Sequence, residues 1–574
     1  MNNRGVAIKY GDVAPEAKEN FAPTASESKF DTIEQLQRYN LDFPNYANPC
    51  EMYQTVLDGT ATAFPSNPEG ANLGLWSEQL SGEDGTFATP IVLELISDGQ
   101  YSSQGITLTF DTYNNIFATS VNIKWYRDSE LLSDVNFTPN SAFYFCHNKI
   151  DNYNKLILTF GAINMPKNYL KLRVIDYGYG TVFYGKELRS VKLIQELDPI
   201  STQISINTAD FTLDSKSNIE YSFQAKQPLS VFFNGELKAT TFVKSSKRKS
   251  KFLWEIQSED YIGLLDSIPF YGDIYENKNA VEIIDSIFEI AKVPYSIDDS
   301  FADIILNGYI PITTCREALM QVCFAIGAVV DTSDSDVVKI FNLPSEVSQT
   351  IPLSRIMQGQ SFSDDETVTD VEILGHKYRE TREEVELYDS VESGEGDGIM
   401  LTFSEPLHDF DIENGEIVES SANHIIFNAK EACIVRGYKY EHITFKKRKH
   451  NPIVLASELE KVVSIENATL ITAENIDTSL ERCFEWLTKV NTTNLKIVEG
   501  KHIVEGGIVK YGEVKYGTVK YGGVSSNVTV YDKVVNVGDL ISAETEYLGI
   551  ITGRAIKQTF SLAGGITIKD TVLK

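Results

Sequence analysis

The chain has 574 residues, too many for a single hydrophobic core, and this length predicts about three to five domains. Hydrophobic residues make up 42% of the composition and there are only 18 prolines, which is ordinary for globular proteins and excludes a wholly disordered chain. The formal net charge of −30 repels phosphate backbones and anionic lipids, so sequence-specific nucleic-acid binding is a poor hypothesis.

Residues 1–40 are polar and irregular, and they predict an extended N-terminal arm that is ordered by its neighbours. The first residues lack the apolar core of a signal peptide, and no stretch approaches the roughly 20 apolar residues that a bilayer span needs. We therefore expect synthesis in the cytoplasm and no membrane span.

Residues 41–190 alternate apolar and polar side chains in short runs separated by Asn, Asp, Ser and Pro, which predicts a β-sandwich. The clearest runs are Gly105–Asp111, Val121–Arg127 and Lys155–Phe160.

Aromatic residues of this segment could line a sugar-binding face, because aromatic rings stack on pyranose rings. The candidates are Tyr113, Trp125 and Tyr126. Alternation, however, places Trp125 in register with Val121 and Ile123, so we expect Trp125 to lie in the core.

Residues 193–275 predict a small barrel of short strands, with Asn234–Gly235 as a hairpin turn. The expected strands are Gln203–Ile206, Ile219–Ala225, Ser230–Phe233, Thr240–Val243 and Phe252–Ser258.

Residues 276–345 predict a small α+β lobe inserted between two barrels. Ala280–Lys292 has apolar residues at helical spacing on more than one side, which indicates a buried helix. A second helix is indicated by Thr314 with Glu317 three residues later, and it should end at Gly327. A hairpin is expected to follow, with strands in 328–331 and 337–341.

Residues 346–450 predict a second barrel, with strands at Thr367–Leu374 and Glu416–Glu419 and a turn at Asn414–Gly415. Residues 451–574 predict a helix at about 475–490 followed by a β-rich segment. Three Lys-Tyr-Gly copies, beginning at Lys510, Lys515 and Lys520, favour an extended ribbon with bends at the glycines.

Motifs of the common hydrolases and nucleotide enzymes are missing: the sequence has no G-x-S-x-G, H-E-x-x-H or Walker loop. Cys146 and His147 are adjacent, but neighbours on a strand face opposite sides, so a core thiol beside a surface imidazole is the favoured interpretation. The six cysteines form no C-x-x-C pair and are expected to be free and mostly buried.

The seven histidines are widely separated, and we expect no metal site and no cofactor. Asp409–Gly415 alternates carboxylates as a calcium loop does, but Asn414 and Ser420 stand where that loop needs glycine and glutamate. Paired carboxylates for glycoside hydrolysis are left open, because 81 acidic residues supply many pairs.

Two basic runs, Lys244–Lys251 and Lys446–His450, could bind phosphate. The net charge favours a second interpretation, in which they are solvated hairpin tips or salt-bridge partners.

One part of the sequence resembles the baseplate hub proteins of tailed phages and prophages of low-GC Gram-positive bacteria. The similarity in Leu197–Asp266 is carried by Gln227–Val231, Asn234–Leu237 and Glu259–Asp266. In the lobe, Pro311–Leu319 and Gly327–Asp331 are similar to the helix and hairpin of the same family. The Lys-Tyr-Gly copies also resemble such tail proteins.

The resemblance implies a structural virion protein of the tail tip. It implies a homotrimer with two tail-tube-like barrels per subunit, which forms a ring that continues the tail tube and lets DNA pass at ejection. The implied partners are distal tail, tail-tube and tape-measure proteins and other baseplate or receptor-binding proteins. Many relatives continue into a peptidoglycan-cleaving domain that this sequence lacks, so no enzyme activity and no catalytic residue are expected.

Two further expectations follow. The 41–190 segment looks like discoidin or carbohydrate-binding modules, so the alternative function is a host-surface adhesin that binds glycans. If the hub forms a ring, part of the net negative charge should line its channel, with Lys244–Lys251 and Lys446–Lys449 facing outward or into subunit interfaces.

Overall fold

A computed structural model shows a mainly β, multidomain protein, as the sequence predicted. The chain forms two compact units, an N-terminal unit of residues 9–182 and a C-terminal unit of residues 183–574 with residues 1–8. None of the helices described is long and apolar enough to cross a bilayer. The structure describes residues 6–11, 15–29, 33, 36, 74–112, 114–178, 180–184, 187–214, 223, 225–233, 236–353, 356, 361–364, 367–452, 460–488, 491–495, 502–504, 528–530, 535–545, 549–562 and 566–573.

The elements described in the first 184 residues are mostly strands. They are Val6–Gly11 (β1), Pro15–Asn20 (α1), Ala22–Ala25 (β2), Leu75–Trp76 (β3), Thr86–Thr109 (β4), Ala118–Arg127 (β5), Glu130–Phe137 (β6), Phe143–Ile163 (β7), Lys171–Leu172 (β8), Val174–Asp176 (β9) and Gly180–Tyr184 (β10).

The N-terminal unit is organised around an antiparallel sheet with the strand order β2-β4-β7-β5-β6. The strand runs predicted in this segment are found in β4, β5 and β7, except that β4 ends at Thr109, before the predicted end at Asp111. Buried and exposed residues alternate along β5, so that Val121, Ile123 and Trp125 all enter the core.

The described residues of the 1–40 segment include two extended strands, β1 and β2, and a helix, α1, that the sequence did not predict. α1 and β2 belong to the N-terminal unit, where Ala22–Ala25 pairs with β4 and Phe21 is fully buried. Phe21 stacks on Tyr177 with ring centroids 4.5 Å apart. A few isolated apolar residues therefore anchor a segment whose overall polarity gave no periodic signal.

The C-terminal unit contains the remaining elements. They are Leu188–Glu196 (β11), Thr208–Asp214 (β12), Pro228–Phe233 (β13), Glu236–Arg248 (β14), Leu253–Glu259 (β15), Tyr261–Leu265 (α2), Pro269–Phe270 (β16), Ile274–Asn279 (β17), Ala280–Ala291 (α3), Tyr295–Ile297 (β18), Ile305–Tyr309 (β19), Thr313–Thr314 (β20), Cys315–Ile326 (α4), Val329–Asp331 (β21), Val338–Phe341 (β22), Val347–Ile351 (β23), Ser361–Asp364 (β24), Asp370–Asp389 (β25), Ser390–Ser393 (α5), Gly396–Thr402 (β26), Leu407–Ser421 (β27), His424–His450 (β28), Val462–Ile465 (β29), Ile476–Leu487 (α6), Asn491–Leu495 (β30), His502–Val504 (β31), Val528–Val530 (β32), Leu540–Thr545 (β33), Gly549–Leu562 (β34) and Ile566–Leu573 (β35).

One sheet of this unit joins strands from distant parts of the sequence. Its order includes β13-β14-β15-β12-β11-β34-β35-β30-β24, with β33 beside β34 and β23 beside β33. The prediction of two separate small barrels at 193–275 and 346–450 is wrong, because no closed barrel is found among the described residues. β11 pairs with β34, and residues 370–450 form a different sheet, so neither segment closes on itself.

The predicted strand at Gln203–Ile206 is also wrong, since these residues form a loop. Predicted strands at Ser230–Phe233, Thr240–Val243 and Phe252–Ser258 are confirmed in β13, β14 and β15. The Asn234–Gly235 turn and most of Ile219–Ala225 lie outside the described residues.

The α+β lobe has the helices and the hairpin that the sequence predicted. α4 is capped by Thr314, whose hydroxyl accepts from the Glu317 amide at 3.2 Å, and it ends at Gly327 with φ of 80°. α3 is buried on one face, through Ile283, Ile284, Ile287 and Phe288, whereas Ile290 is 49% exposed, so the prediction of burial on more than one side is wrong. β21 and β22 pair as the expected hairpin.

A long antiparallel ribbon is formed by β25, β26, β27 and β28, with the last of these, His424–His450, in the middle. The predicted turn at Asn414–Gly415 is wrong, because both residues lie inside β27 at a bulge where Asn414 has φ of 53°. The predicted helix near 475–490 is confirmed as α6, which contacts β25 and β28.

Candidate functional site

One face of the ribbon collects polar aromatic and ionisable side chains. Opposite residues of an antiparallel pair project to the same side, and here Tyr378 lies opposite His442, Glu380 opposite Tyr440, and His408 opposite Tyr438. We call this the histidine–tyrosine face, which consists of His376, Tyr378, Glu380, His408, Tyr438, Tyr440 and His442.

The first end of this face is a pair of stacked imidazoles. His376 Nδ1 and His442 Nε2 lie 2.9 Å apart, and the ring planes differ by 12°. His376 is only 4% exposed, and burial together with the nearby His442 lowers its pKa from 6.5 to about 4. One nitrogen of the pair must donate and the other accept, so the contact requires at least one neutral ring at the shared edge.

A buried hydrogen-bond network fixes the middle of the face to the lobe. The Tyr378 ring packs on Tyr309 of β19, and the Tyr309 hydroxyl donates to Asn423 Oδ1 at 2.6 Å. The Asn423 amide donates to the carbonyl oxygens of Tyr271 and Ile310 at 2.6 and 2.9 Å. Because Asn423 is fully buried and its polar groups are satisfied, this part of the ribbon is held rigidly.

The second end of the face brings together His408, Asp409 and Glu380. Their potential metal-binding atoms all lie within 4.8 Å of one another, and no other cluster of this kind occurs in the part of the chain that is described. His408 Nδ1 is 3.0 Å from Asp409 Oδ2, and the His408 ring lies 4.7 Å from that of Tyr440.

The backbone explains why Asp409 reaches the ring of the preceding residue. Along a regular strand, successive side chains point to opposite faces. Asp409 instead has φ of 45°, at a register shift between His408 and Asp411. This left-handed conformation, which Asp tolerates better than most residues, turns the carboxylate back towards the imidazole.

Acidic residues dominate the surrounding sequence. Between residues 380 and 435 there are 15 Asp or Glu and 2 Lys or Arg, which accounts for 13 of the 30 net negative charges. Nearly all of these carboxylates are on exposed positions of β25, β26, β27 and the connections between them. Residues 380–435 are therefore a strongly negative part of the ribbon surface.

The basic run at Lys446–His450 lies on β28 and is neutralised within the chain. Alternate residues pair on opposite sides of the strand, which is the geometry that a β-strand imposes. The pairs on one side are Lys446 with Glu372 and Glu466, and Arg448 with Asp370 and Glu460; those on the other are Lys447 with Asp477 and Lys449 with Glu481 of α6. This confirms the salt-bridge interpretation over a phosphate-binding patch.

The run at Lys244–Lys251 is partly neutralised. Lys244 pairs with Glu259 at 2.7 Å and Lys249 pairs with Glu255 at 2.9 Å. The Arg248 guanidinium lies over the Trp254 ring at 5.2 Å. This run therefore also has substantial internal partners.

The other sequence candidates are not brought together into a site. Cys146 is buried and His147 exposed, as alternation predicted, and burial raises the pKa of the Cys146 thiol. The five described cysteines are free and buried, as predicted, and Cys50 lies outside the described residues. Asp409–Gly415 lies in β27, so it does not form the calcium loop considered above.

The aromatic residues proposed for sugar binding are also separated. Trp125 is fully buried, which confirms the prediction that it belongs to the core. Tyr126 is half-buried, with Lys155 Nζ 5.9 Å from its ring centroid. Tyr113 and the Lys-Tyr-Gly copies lie outside the described residues.

Sequence reasoning missed the histidine–tyrosine face. A usable signal was present, since His376, Tyr378 and Glu380 are spaced two apart, as are Tyr438, Tyr440 and His442. Such spacing places each trio on one side of a strand. What the sequence did not contain was the register that sets the trios opposite each other.

Comparisons with known proteins give similarities among solved structures only. No protein-family model and no curated protein matches the chain. A tail protein from Neisseria meningitidis MC58 matches with TM-score 0.39 and 10% identity, over 68% of this chain and 92% of its own. The 43 kDa tail protein of prophage MuSo2 from Shewanella oneidensis gives TM-score 0.40 and 11% identity, over 68% and 95%. Prophage tail protein gp18 from Listeria monocytogenes EGD-e gives 0.36 and 13%, over 69% and 91%. All three TM-scores are below 0.5.

Proposed function

We propose that the protein is a structural subunit of a phage tail tip, a baseplate hub that assembles as a homotrimeric ring on the end of the tail tube. It anchors neighbouring tail, tape-measure and receptor-binding proteins for host attachment and DNA ejection. In this role it is made in the host cytoplasm, is incorporated into the virion, and has no catalytic residue or cofactor.

The observation that carries this proposal is that the segments resembling hub proteins form one folded module. Ile200, Ile262 and Leu265 of the first segment share a hydrophobic core with Leu319 of α4 and Val330 of β21. A resemblance spread over three separate pieces of sequence therefore corresponds to one continuous piece of structure.

Polar contacts join the same pieces. The Arg316 guanidinium donates to the Ile204 carbonyl, and the Ser201 hydroxyl donates to the Ala328 carbonyl at 2.8 Å. Asp260, fully buried at the start of α2, accepts from the Thr332 hydroxyl at 2.5 Å. These hydrogen bonds hold the helices and strands of this module in fixed positions, as expected for a rigid structural subunit.

The charge distribution supports passage of DNA without binding. The acidic ribbon surface at 380–435 repels phosphates, while the cations of Lys446–Lys449 are held by carboxylates of the same chain. We propose that part of this acidic surface lines the channel of the assembled ring.

The glycan-binding alternative gains no observation in its favour. Trp125, the best stacking platform among its candidates, is inside the core and cannot contact a sugar.

The test is the oligomeric state and the position in the particle. Light scattering of the purified protein should give three times the chain mass of 64.2 kDa, and images of particles should place it as a ring at the tail tip. A monomer at micromolar concentration that is also missing from purified virions would refute the hub. Clearing of peptidoglycan in a gel, abolished by one substitution, would refute the non-enzymatic role.

A further inference from the structure

The cluster of His408, Asp409 and Glu380 has a geometry that the proposed hub function does not use. We propose that this end of the histidine–tyrosine face binds one divalent transition metal ion, with Zn²⁺ as the representative ion. The ligands are His408 Nδ1 and one oxygen from each carboxylate, and solvent completes the coordination. This inference is independent of whether the protein forms a hub.

The distances fit a shared metal ion. Ligand atoms about 2.1 Å from a zinc ion are roughly 3.0–3.4 Å apart at angles between 90° and tetrahedral. His408 Nδ1 and Asp409 Oδ2 are 3.0 Å apart, and one ligand atom from each of His408, Asp409 and Glu380 lies within 4.8 Å of the other two. A small movement of the exposed Glu380 side chain closes the third contact.

The histidine is held in place for this role. Its side chain is 10% exposed, and its ring packs against Tyr440 at 4.7 Å and Tyr438 at 5.9 Å. Its Nε2 is buried and has no hydrogen-bond partner in the described part of the chain. The contact to Asp409 is therefore the one polar contact of this ring among the described residues.

The local charge favours a cation. Among the described residues, neither Glu380 nor Asp409 forms an ion pair with Lys or Arg, and the same holds for the nearby Asp273 and Glu276. In the described part of the chain, the carboxylates of this end of the face therefore have no basic side chain that would have to be displaced by a cation.

The ligand types select the ion class. An imidazole nitrogen with carboxylate oxygens suits zinc, manganese and similar transition ions, whereas calcium takes oxygen ligands throughout. The left-handed Asp409 is consistent with this role, because a strained backbone conformation is here what brings the carboxylate to the imidazole.

The experiment uses the full-length protein after treatment with a chelator. Zn²⁺ binding is measured by calorimetry, and Mn²⁺ broadening is measured on the histidine ring signals of protein labelled with ¹³C-histidine. We expect one Zn²⁺ per chain at this site and selective broadening of the His408 signal. Asp409→Asn and Glu380→Gln, both at exposed positions, should each weaken binding at least tenfold.

Two controls separate this site from others. His147→Ala removes an exposed histidine far along the sequence and should leave the affinity unchanged. Glu386→Gln neutralises an exposed carboxylate on the same strand and should change the affinity less than threefold. Thermal unfolding in the chelator confirms that each variant is folded. The inference is overturned if Asp409→Asn binds Zn²⁺ as tightly as the wild type, or if Mn²⁺ leaves the His408 signal sharp.

Discussion

The stacked pair at His376 and His442 predicts a specific loss of stability in acid. The folded pKa of His376 is about 4 and the ordinary value is 6.5, so the neutral ring is favoured by folding. Because the unfolded chain binds the proton more readily, this contribution is complete above pH 6.5 and is lost as the pH falls towards 4. The full shift corresponds to about 3 kcal/mol, and about 2 kcal/mol of it is lost at pH 5.

The perturbation is His376→Phe, which keeps an aromatic ring in a site that is 4% exposed but cannot take a proton. Chemical unfolding of wild type and variant is compared at pH 7.5 and pH 5. The wild type should lose about 2 kcal/mol more than the variant between the two values.

The same quantity can be observed directly at the ring. In protein labelled with ¹³C-histidine, the His376 signal should remain that of a neutral imidazole down to about pH 5. His147, which is exposed, serves as the comparison signal in the same sample. If His376 titrates near 6.5, or if wild type and variant lose equal stability, the argument from burial and stacking is refuted.

The remaining predictions concern the lobe, the ribbon and the N-terminal unit. Asp260→Ala should cost roughly 2–4 kcal/mol in urea unfolding, since it removes the α2 cap and leaves buried donors unpaired. Gly327→Ala should lower stability by about 1–2 kcal/mol in the same assay, because an L-residue is strained at φ of 80°; an unchanged midpoint would contradict this. Lys447→Ala and Lys449→Ala should each change stability by less than about 1 kcal/mol, because both ion pairs are partly exposed. A chain lacking Lys9–Val182 should still give the oligomeric mass of the full protein in light scattering, since that unit has its own core; loss of soluble protein would count against it.

Local sequence patterns were sufficient to predict the structure where it depends on contacts between residues close in sequence. α4 could be predicted at both ends because Thr314 and Gly327 cap it through contacts within a few residues. Trp125 could be placed in the core because alternation alone fixes its side of the strand.

Sequence patterns gave wrong predictions where contacts between residues distant in sequence determine the structure. The dipeptide Asn414–Gly415 is a strong sequence signal for a hairpin turn. In the structure, however, β27 pairs with β28 along most of its length, and these two residues lie at a bulge within it. The contact between His376 and His442 depends on the register of two long strands, which no local pattern sets. The barrels were mispredicted for a similar reason, since the neighbour of β11 comes from the last part of the sequence.

The pairing of β11 with β34 affects how the protein folds during its synthesis. β11 lies between β12, which follows it closely in the sequence, and β34, where Val191 pairs with Leu562. On a ribosome the hairpin partner is available early, while the other edge of β11 stays open until translation has passed Leu562. Exposed edges of unfinished sheets invite pairing with other chains, and contacts between such distant residues form slowly. During synthesis, therefore, the open edge of β11 is exposed to mispairing with newly made copies on neighbouring ribosomes until β34 has been translated.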